Sequence, residues 1–267
     1  MNEHSFIIHQ IKGYIATLYL VEYPDRLLLL DGGARYDAGR IIAFIRNRLR
    51  RELRDLKLCL VSHMHPDHAG GAPILRRRFQ VPIAAHPDGD LWYRGPSGAL
   101  QHLLDTVLGH YSARRQFGHL ERAWAPRFLA PDLHLRENDL VPGFPDWIAL
   151  EAPGHTLFDL VFYHPGRRLL YVGDLIFRYG DRFLPPFPTN FPELMDSTLE
   201  KLSRLPLDQV LLAHGGSLAI DDPERFFSAL RARLAEPLDD FRFRLVRPLC
   251  TLNPDARREK RRRRLQG

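Results

Sequence analysis

The chain of 267 residues has only two cysteines, Cys59 and Cys250, and no C-x-x-C motif. Such a sequence has no framework for disulfide scaffolding and no cysteine-rich zinc module. Cys59 lies in the apolar run 58–61, which predicts a buried thiol packed among hydrophobic side chains.

Long apolar runs are also absent. None approaches the roughly 20 residues that a membrane-spanning helix requires. The first residues lack the basic region and apolar stretch of a secretory signal peptide. We therefore expect no membrane span, an uncleaved N-terminus and a cytoplasmic location.

The body of the chain has little excess charge. The formal net charge of +6 arises from 38 Lys and Arg against 32 Asp and Glu. Seven of the basic residues and Glu259 lie within 257–264, and Asp255 just precedes them. Without these nine residues, 31 basic residues face 30 acidic ones, a net charge of +1. A nucleic-acid partner is therefore not expected, and the tail is predicted to be solvated.

What the chain does contain is a globular balance of 45% hydrophobic and 26% charged residues, long enough for one large α/β domain with an appendage. Apolar runs and amphipathic stretches alternate along it, which favours a layered α/β fold. The predicted strands are 14–21, 27–30, 58–61, 81–85, 147–152, 160–163, 169–172 and 210–213. The predicted helices are 38–53, 74–79, 192–205 and 223–235.

Residues 97–130 have a different character, with two helical stretches, 101–108 and 113–124, and interleaved aromatic residues. We predict a helical insertion or cap beside the main sheet. The aromatic side chains either line an apolar pocket or pack the insertion on the sheet. They are Trp92, Tyr93, Tyr111, Phe117 and Trp124.

Ligand-type side chains recur just beyond the ends of predicted strands. They are His63 after 58–61, His155 after 147–152, Asp174 after 169–172 and His214 after 210–213. Asp31 follows the run 27–30 in the same way. If these strands lie side by side, the side chains meet along one sheet edge, where layered α/β proteins bind ligands.

The loop after residues 58–61 is the most specific motif. It places three imidazoles and one carboxylate within six residues: His63, His65, Asp67 and His68. Neutral imidazole and carboxylate are ligands for zinc, and also for iron, nickel or copper. In an extended backbone His63 and His65 point the same way, and Pro66 then turns the chain so that Asp67 and His68 face a second point.

These motifs resemble those of the metallo-β-lactamase superfamily and occur in its order. The matching segments are 31–33, 62–71, 152–156, 172–174 and 213–215. The resemblance implies a four-layer αββα sandwich over residues 1–240 with a helical insertion at about 97–130. A C-terminal extension with the basic tail would follow at 241–267.

The resemblance also implies a site for two divalent metal ions. Zinc is the expected metal, with iron or manganese as alternatives. The first ion is expected on His63, His65 and His155. The second is expected on Asp67, His68 and His214, with Asp174 bridging the two. In this family the residue matching Asp31 supports the ligands rather than binding metal.

The function that follows is hydrolysis by a metal-bridging hydroxide, with Asp67 guiding a proton to the leaving group. The expected substrate is a small molecule carrying a carbonyl ester, thioester or lactone. A phenylalanine three residues after the bridging aspartate, here Phe177 after Asp174, resembles the pattern in glyoxalase II. The segment 214–217, His-Gly-Gly-Ser, differs from the glyoxalase II sequence His-Glu-Tyr-Thr. The sequence therefore does not choose among these substrates, and it leaves the oligomeric state open.

Alternative functions share the same residues. A phosphodiesterase or nuclease of this fold would use the same metal site with the basic tail against phosphates. An oxygenase similar to persulfide dioxygenase would use one iron on His63, His155 and Asp174. A non-catalytic binding module is disfavoured because an unused cluster of buried charges is costly to keep.

Overall fold

Two six-stranded sheets pack face to face in the computed structural model, with helices on their outer faces. The structure describes residues 5–117, 121, 124–186 and 189–234. This arrangement confirms the expected αββα sandwich. No helix within the described ranges has both the length and the apolarity needed to cross a bilayer.

The first sheet has the order β1-β2-β3-β4-β5-β6. Its strands β1 to β3 pair antiparallel, and β3 to β6 pair parallel. The strands are β1 (Ile7–Lys12), β2 (Thr17–Glu22), β3 (Leu27–Leu30), β4 (Leu56–Leu60), β5 (Ile83–Ala85) and β6 (Leu133–His134).

The second sheet has the order β14-β13-β10-β9-β8-β7, and β11 pairs with β12 in a separate ribbon. The pair β10 and β13 is parallel, and β9 runs antiparallel between β8 and β10. The bounds are β7 (Leu140–Val141), β8 (Phe144–Glu151), β9 (Leu160–His164), β10 (Leu169–Tyr171), β11 (Phe177–Tyr179), β12 (Arg182–Leu184), β13 (Gln209–Leu212) and β14 (Gly216–Ala219).

The helices are α1 (Asp37–Ala43), α2 (Pro66–Ala69), α3 (Ala72–Phe79), α4 (Gly95–Phe117), α5 (Pro192–Ser203) and α6 (Pro223–Leu234). Helices α1 and α3 cover the outer face of the first sheet, and α5 and α6 cover that of the second. Ile41 of α1 and Leu75 of α3 are buried against the first sheet. Met195 of α5 and Phe227 of α6 are buried against the second.

Strand β3 shows why the sandwich has four layers. Its four leucines are all fully buried, although side chains alternate between the two faces of a strand. Leu28 and Leu30 pack between the sheets with Trp147, while Leu27 and Leu29 pack under the outer helices. A continuous apolar run is typical of a strand covered on both sides. Burying each such side chain contributes about 1.5–3 kcal/mol.

The structure corrects several predicted boundaries. The helix predicted at 38–53 ends at Ala43 and continues only as a π-helical turn, Phe44–Arg48. Arg50 then adopts a left-handed conformation with φ of 58°. The chain turns there because Leu53 and Leu56 must enter the core beneath the first sheet. Strand β1 (Ile7–Lys12) precedes the first predicted strand, 14–21, which corresponds to β2 (Thr17–Glu22).

Within the described residues of the predicted insertion, one helix, α4, replaces the two that the sequence predicted. Residues 118–120, 122 and 123, at the end of the second predicted helix, lie outside the described residues. So do residues 235–267, which include the C-terminal extension and the basic tail. The division at residue 240 therefore remains a prediction.

Candidate metal centre

The predicted ligand residues come from the ends of strands in both sheets. His63 lies after β4 in the first sheet, and His214 lies two residues after the end of β13 in the second. The expectation that they line the edge of one sheet was wrong. Strands β8, β10 and β13 point the same way, so the loops after them share one rim of the second sheet. This rim meets the loop after β4, and the residues converge between the sheets.

The loop after β4 starts a short helix. His65 is still extended, with φ of −62° and ψ of 145°, and Pro66 occupies the first turn of α2. Proline suits this position because its fixed φ is helical and the backbone N–H it lacks has no partner there. Asp67 and His68 consequently lie on helix α2 and belong to a second group of ligand-type side chains, separate from that of His63 and His65, as the motif predicts.

The first group of side chains comprises His63, His65, His155 and one oxygen of Asp174. Nδ1 of His65 lies 2.9 Å from Nε2 of His63 and 3.0 Å from Nε2 of His155. The Oδ2 atom of Asp174 lies 3.7 Å from Nε2 of His63 and 3.5 Å from Nε2 of His155. Three imidazoles and a carboxylate therefore direct one atom each at a common point.

The second group comprises Asp67, His68 and His214. Nε2 of His214 lies 3.4 Å from Oδ2 of Asp67, and Nε2 of His68 lies 3.7 Å from the same oxygen. The Oδ1 atom of Asp174 lies 2.9 Å from Nε2 of His68 and 3.0 Å from Nε2 of His214. Asp174 thus faces the first group with one oxygen and the second group with the other.

Both groups fit metal ions. The donor atoms within each group all lie within 4.8 Å of one another. Nε2 of His68 and Oδ1 of Asp174 are buried without a hydrogen-bond partner of suitable geometry. Buried polar atoms are rarely left so, and a cation would satisfy both. Imidazole nitrogens with carboxylate oxygens are also the donor set that zinc and iron accept.

Hydrogen bonds fix which nitrogen of two imidazoles faces the cluster. The Oδ2 atom of Asp31 accepts a hydrogen bond from Nδ1 of His68 at 2.7 Å, which leaves Nε2 directed at Asp174. Ser62 Oγ donates to Asp31 at 2.8 Å and lies 3.0 Å from Nδ1 of His63. Nδ1 of His63 must then be the donor, so its Nε2 also presents a lone pair to the cluster.

Asp31 is the centre of this network. Its carboxylate also accepts hydrogen bonds from the Ser62 backbone at 2.6 Å and from the Tyr171 hydroxyl at 2.5 Å. Asp31 is buried, and its φ of 64° is a left-handed conformation that few non-glycine residues adopt. This placement agrees with the predicted supporting role, because carboxylates commonly orient ligating imidazoles from behind.

The two ligand groups differ in the pKa values of their histidines. In the first, burial lowers the pKa of His65 to about 4 and holds the pKa of His63 well below its usual value. In the second, burial has the same tendency, but Asp174 and Asp67 overcome it and raise the pKa of His214 to about 9. Imidazoles must be neutral to bind metal, so an ion entering the second group displaces protons.

Close backbone approach explains one glycine of the site. Gly173 has a φ of 51°, and a Cβ there would lie 2.8 Å from Oγ of Ser62. A side chain at this position would push apart Asp174 and the Ser62 hydroxyl that supports His63. Glycine is therefore required at this turn.

The loop that carries His155 is held from both sides. Asp159 accepts hydrogen bonds from the backbone and hydroxyl of Thr156, both at 2.6 Å. The amide of Asn190 donates to the carbonyl oxygen of His155 at 2.8 Å. Neither Asp159 nor Asn190 was among the residues that the sequence pointed to.

Helix α4 brings a further carboxylate to the site. Oδ2 of Asp105 lies 3.7 Å from Nε2 of His65. The same carboxylate accepts hydrogen bonds from the Tyr93 hydroxyl at 2.8 Å and from Nε2 of Gln101 at 2.7 Å. Burial raises the pKa of Asp105 to about 6, against the effect of these hydrogen bonds. Sequence analysis missed Asp105 because one acid within a helix carries no local motif.

The aromatic residues near the insertion do not form one pocket. Trp92 and Tyr93 are buried, whereas Tyr111 and Trp124 are mostly exposed. The side chain of Phe117 lies outside the described part of the structure. Phe177 instead stacks on His214, with ring centroids 4.6 Å apart and planes at 5°.

Histidines outside the motifs stay out of the cluster where the structure describes their contacts. His86 contacts Glu151 at 3.3 Å, and His164 contacts Asp146 at 3.0 Å. Both histidines are buried, so they have structural partners rather than an open face.

Residues 12–214 match the family model described as the metallo-beta-lactamase superfamily. Because this match covers most of the chain, the chain belongs to the metallo-β-lactamase superfamily. The described geometry and this membership together support a metal-dependent hydrolase as its general class.

Curated relatives are distant. The chain is 22% identical over 231 residues to the probable metallo-hydrolase YflN of Bacillus subtilis, covering 78% of this chain and 83% of that protein. It is 28% identical over 206 residues to a hydroxyacylglutathione hydrolase of Bdellovibrio bacteriovorus, covering 76% of this chain. The match spans 64% of that hydrolase, and 56% of the one from Chromohalobacter salexigens, which is 27% identical. The chain thus spans less than two thirds of these two hydrolases.

Solved structures share the fold. A metallo-beta-lactamase family protein of Thermus thermophilus aligns with a TM-score of 0.61 at 19% identity, covering 85% of this chain and 78% of that one. An archaeal superfamily protein of Sulfolobus tokodaii aligns with a TM-score of 0.62 at 18% identity, covering 94% and 98%. These similarities confirm the sandwich architecture.

Proposed function

We propose that the chain is a zinc-dependent dinuclear hydrolase that cleaves a small carbonyl ester, thioester or lactone. The observation that carries this proposal is the position of Asp174, whose two oxygens face two separate ligand groups. A carboxylate placed in this way can bridge two cations. When bound, such ions supply a water of lowered pKa and polarise a substrate oxygen.

The ligand assignment is part of the proposal. His63, His65 and His155 would hold the first ion, and Asp67, His68 and His214 would hold the second. The hydrogen bonds from Ser62 and Asp31 support it, because they leave the Nε2 atoms of His63 and His68 as acceptors directed at the cluster.

Asp67 is the proposed proton carrier. Its Oδ2 faces His68 and His214, which leaves Oδ1 to pass a proton to the leaving group. The carboxylate is partly exposed, with a side-chain exposure of 16%, so a substrate can reach it.

Two observations favour this function over the alternatives. The mono-iron oxygenase would need only His63, His155 and Asp174, whereas the second group is also assembled here. Relatives with 26–28% identity are hydroxyacylglutathione hydrolases, which favours a thioester over a phosphodiester. The choice of zinc rests on the donor set. TTHA1623, which aligns at 22% identity, is known in a di-iron-bound form, so iron is tested directly.

The decisive experiment combines metal analysis with a substrate panel. The purified protein is analysed for zinc, iron and manganese, then assayed with a hydroxyacylglutathione, a simple thioester, a γ-lactone and a phosphodiester. We expect close to two zinc ions per chain and turnover of a carbonyl substrate. One iron with no second metal, or phosphodiester turnover alone, would overturn the proposal.

Matched histidine variants link activity to the site. His63→Ala should lose metal and turnover together. His134→Ala should change neither, because His134 is an exposed residue of β6 outside both ligand groups. Wild-type activity in both His63→Ala and His134→Ala would show that the reaction takes place elsewhere on the protein.

A further inference from the structure

Helix α4 lies in the predicted insertion, yet it reaches the metal centre through one side chain. Asp105 lies on the buried side of this helix, and its side chain is only 15% exposed. Its Oδ2 atom lies 3.7 Å from Nε2 of His65. Helix α4 also packs against α2, the short helix that follows His65. The carboxylate is therefore placed behind a predicted ligand.

The His65 ring is oriented so that Nδ1 faces the ligand cluster and Nε2 faces Asp105. The Nδ1 atom of His65 is the one that meets the nitrogens of His63 and His155. A ligating imidazole uses a nitrogen without a proton, so the proton of neutral His65 sits on Nε2. Nε2 is the atom that faces Asp105. A carboxylate beside this N–H favours the tautomer that binds metal through Nδ1.

Asp105 is itself held in place. The Tyr93 hydroxyl donates to Oδ2 at 2.8 Å, and Nε2 of Gln101 donates to Oδ1 at 2.7 Å. Tyr93 is fully buried. At 3.7 Å the contact with His65 is longer than a direct hydrogen bond, so the carboxylate acts on the imidazole as a fixed neighbouring charge.

We infer that Asp105 is a positioning residue of the first metal site, which makes helix α4 part of the metal centre. As a fixed charge beside Nε2 of His65 it favours the tautomer that leaves Nδ1 free for metal, whereas Asp31 supports His68 through a direct hydrogen bond. The two carboxylates come from different parts of the fold. Asp31 follows β3 of the sandwich, whereas Asp105 is supplied by the insertion. The inference rests on the proposed function, because it requires that His65 bind a metal ion.

The test compares metal binding by the full chain and its variants Asp105→Asn, Asp105→Glu and Tyr93→Phe. Zinc affinity is measured by competition with a chromophoric chelator. The cobalt-substituted proteins are compared by visible absorption, which reports the ligand geometry around the ion. Urea unfolding of the metal-free proteins separates a loss of fold from a loss of site. Tyr93→Phe serves as the matched control, because it removes a hydrogen bond from Asp105 but keeps the carboxylate.

We expect Asp105→Asn to bind the zinc ion of the first ligand group about 10–100-fold more weakly and to shift the cobalt bands. Asp105→Glu should recover part of the affinity, and Tyr93→Phe should stay closer to the wild type. Wild-type affinity and an unchanged cobalt spectrum in Asp105→Asn would overturn the inference. If Tyr93→Phe lost as much zinc affinity as Asp105→Asn and lost stability to the same extent, the effect would be structural, and the inference would also be overturned.

Failure of the proposed function gives a different result. A wild-type protein that binds no metal would remove both proposals. A wild-type protein that binds two ions, with Asp105→Asn behaving identically, would remove only the role of Asp105. If Asp105→Asn does not fold, Asp105→Ser takes its place, because serine removes the carboxylate but keeps a hydroxyl for the hydrogen bonds from Tyr93 and Gln101. An unchanged cobalt spectrum in Asp105→Ser would then count against the inference.

Discussion

Asp31 Oδ2 lies 2.7 Å from Nδ1 of His68, with both side chains buried beneath the second ligand group. The contact sets the tautomer of His68 and its orientation toward Asp174. Asp31→Asn would replace one acceptor oxygen by an amide that cannot accept. At least one of the donors from Ser62, Tyr171 and His68 would then be left unpaired. We expect metal affinity to fall about 10–100-fold, measured by chelator competition.

The same variant should lower the free energy of unfolding of the metal-free protein by about 3 kcal/mol, because a buried charged network loses a partner. Asp181→Asn, at an exposed turn, is the control and should be neutral. Metal affinity and stability that match the wild type in Asp31→Asn would show that the network is not needed.

Asp174→Asn tests the bridge. Asparagine offers one oxygen where the wild type offers two, so it can serve only one ligand group. We expect the bound metal to fall from two ions per chain to one or none, and turnover to fall at least about 100-fold. Elemental analysis after gel filtration gives the first value, and steady-state kinetics gives the second. Two tightly bound ions in this variant would contradict the bridging role.

Asp67→Asn tests the second ligand group and the proposed proton carrier together. The first ligand group does not include Asp67, so the variant should keep one ion on His63, His65 and His155. Turnover should be lost because the variant removes both the proposed proton carrier and a ligand of the second ion. The measurement pairs metal content with kcat on the best substrate of the panel. Unchanged turnover would rule out the role of Asp67.

Asp37 predicts how stability depends on pH away from the metal site. Its side chain is fully buried, and burial raises its pKa from 3.8 to about 6, against hydrogen bonds from the Ala34 and Tyr14 backbones. Between these values the native carboxyl binds a proton that the unfolded chain has released. The native state therefore becomes less stable, relative to the unfolded chain, as the pH rises through this window. The shift corresponds to about 3 kcal/mol.

The check is urea unfolding at several pH values between 4 and 7, with a chelator present throughout. Asp37→Asn cannot ionise, so the stability of the wild type relative to this variant should decrease as the pH rises. A difference that stays constant over the range would show that the Asp37 carboxyl does not titrate there.

The interface between the sheets predicts a large effect of truncation. Leu28→Ala removes a fully buried side chain of β3 and should cost about 2–5 kcal/mol. Leu103→Ala, on the exposed side of α4, is the matched control. It should change the free energy of unfolding by less than about 0.5 kcal/mol. Similar losses in the two variants would contradict the layer assignment.

Much of the site could be predicted from sequence because its information is local. The run of four leucines in β3 and the run before His63 indicate strands covered on both faces, and the glycines beside His155, Asp174 and His214 indicate tight turns after strands. The spacing from His63 to His68 is itself a short-range pattern. The structure brings these side chains together, as the motifs predict.

What sequence analysis missed depends on tertiary packing. The periodicity of a strand does not say which strand it pairs with, so the predicted single sheet edge became a junction of two sheets. The amphipathic pattern of the helix that ends at Ala43 continues past this residue. The helix ends there because the chain turns to bury Leu53 in the core. Asp105 lies 40 positions from His65, and nothing in its own segment indicates that contact.

The division of the ligands along the chain has a consequence for folding. One set lies within residues 63–68, and the remainder lies at 155, 174 and 214. A cation held by both sets would join segments about 90 residues apart and act as a removable cross-link between the two halves of the polypeptide. By mass action its supply would add to the stability of the native chain, by about 2.7 kcal/mol when free metal exceeds the dissociation constant 100-fold. A cell that limits metal would thereby lower the amount of folded protein as well as its catalytic capacity.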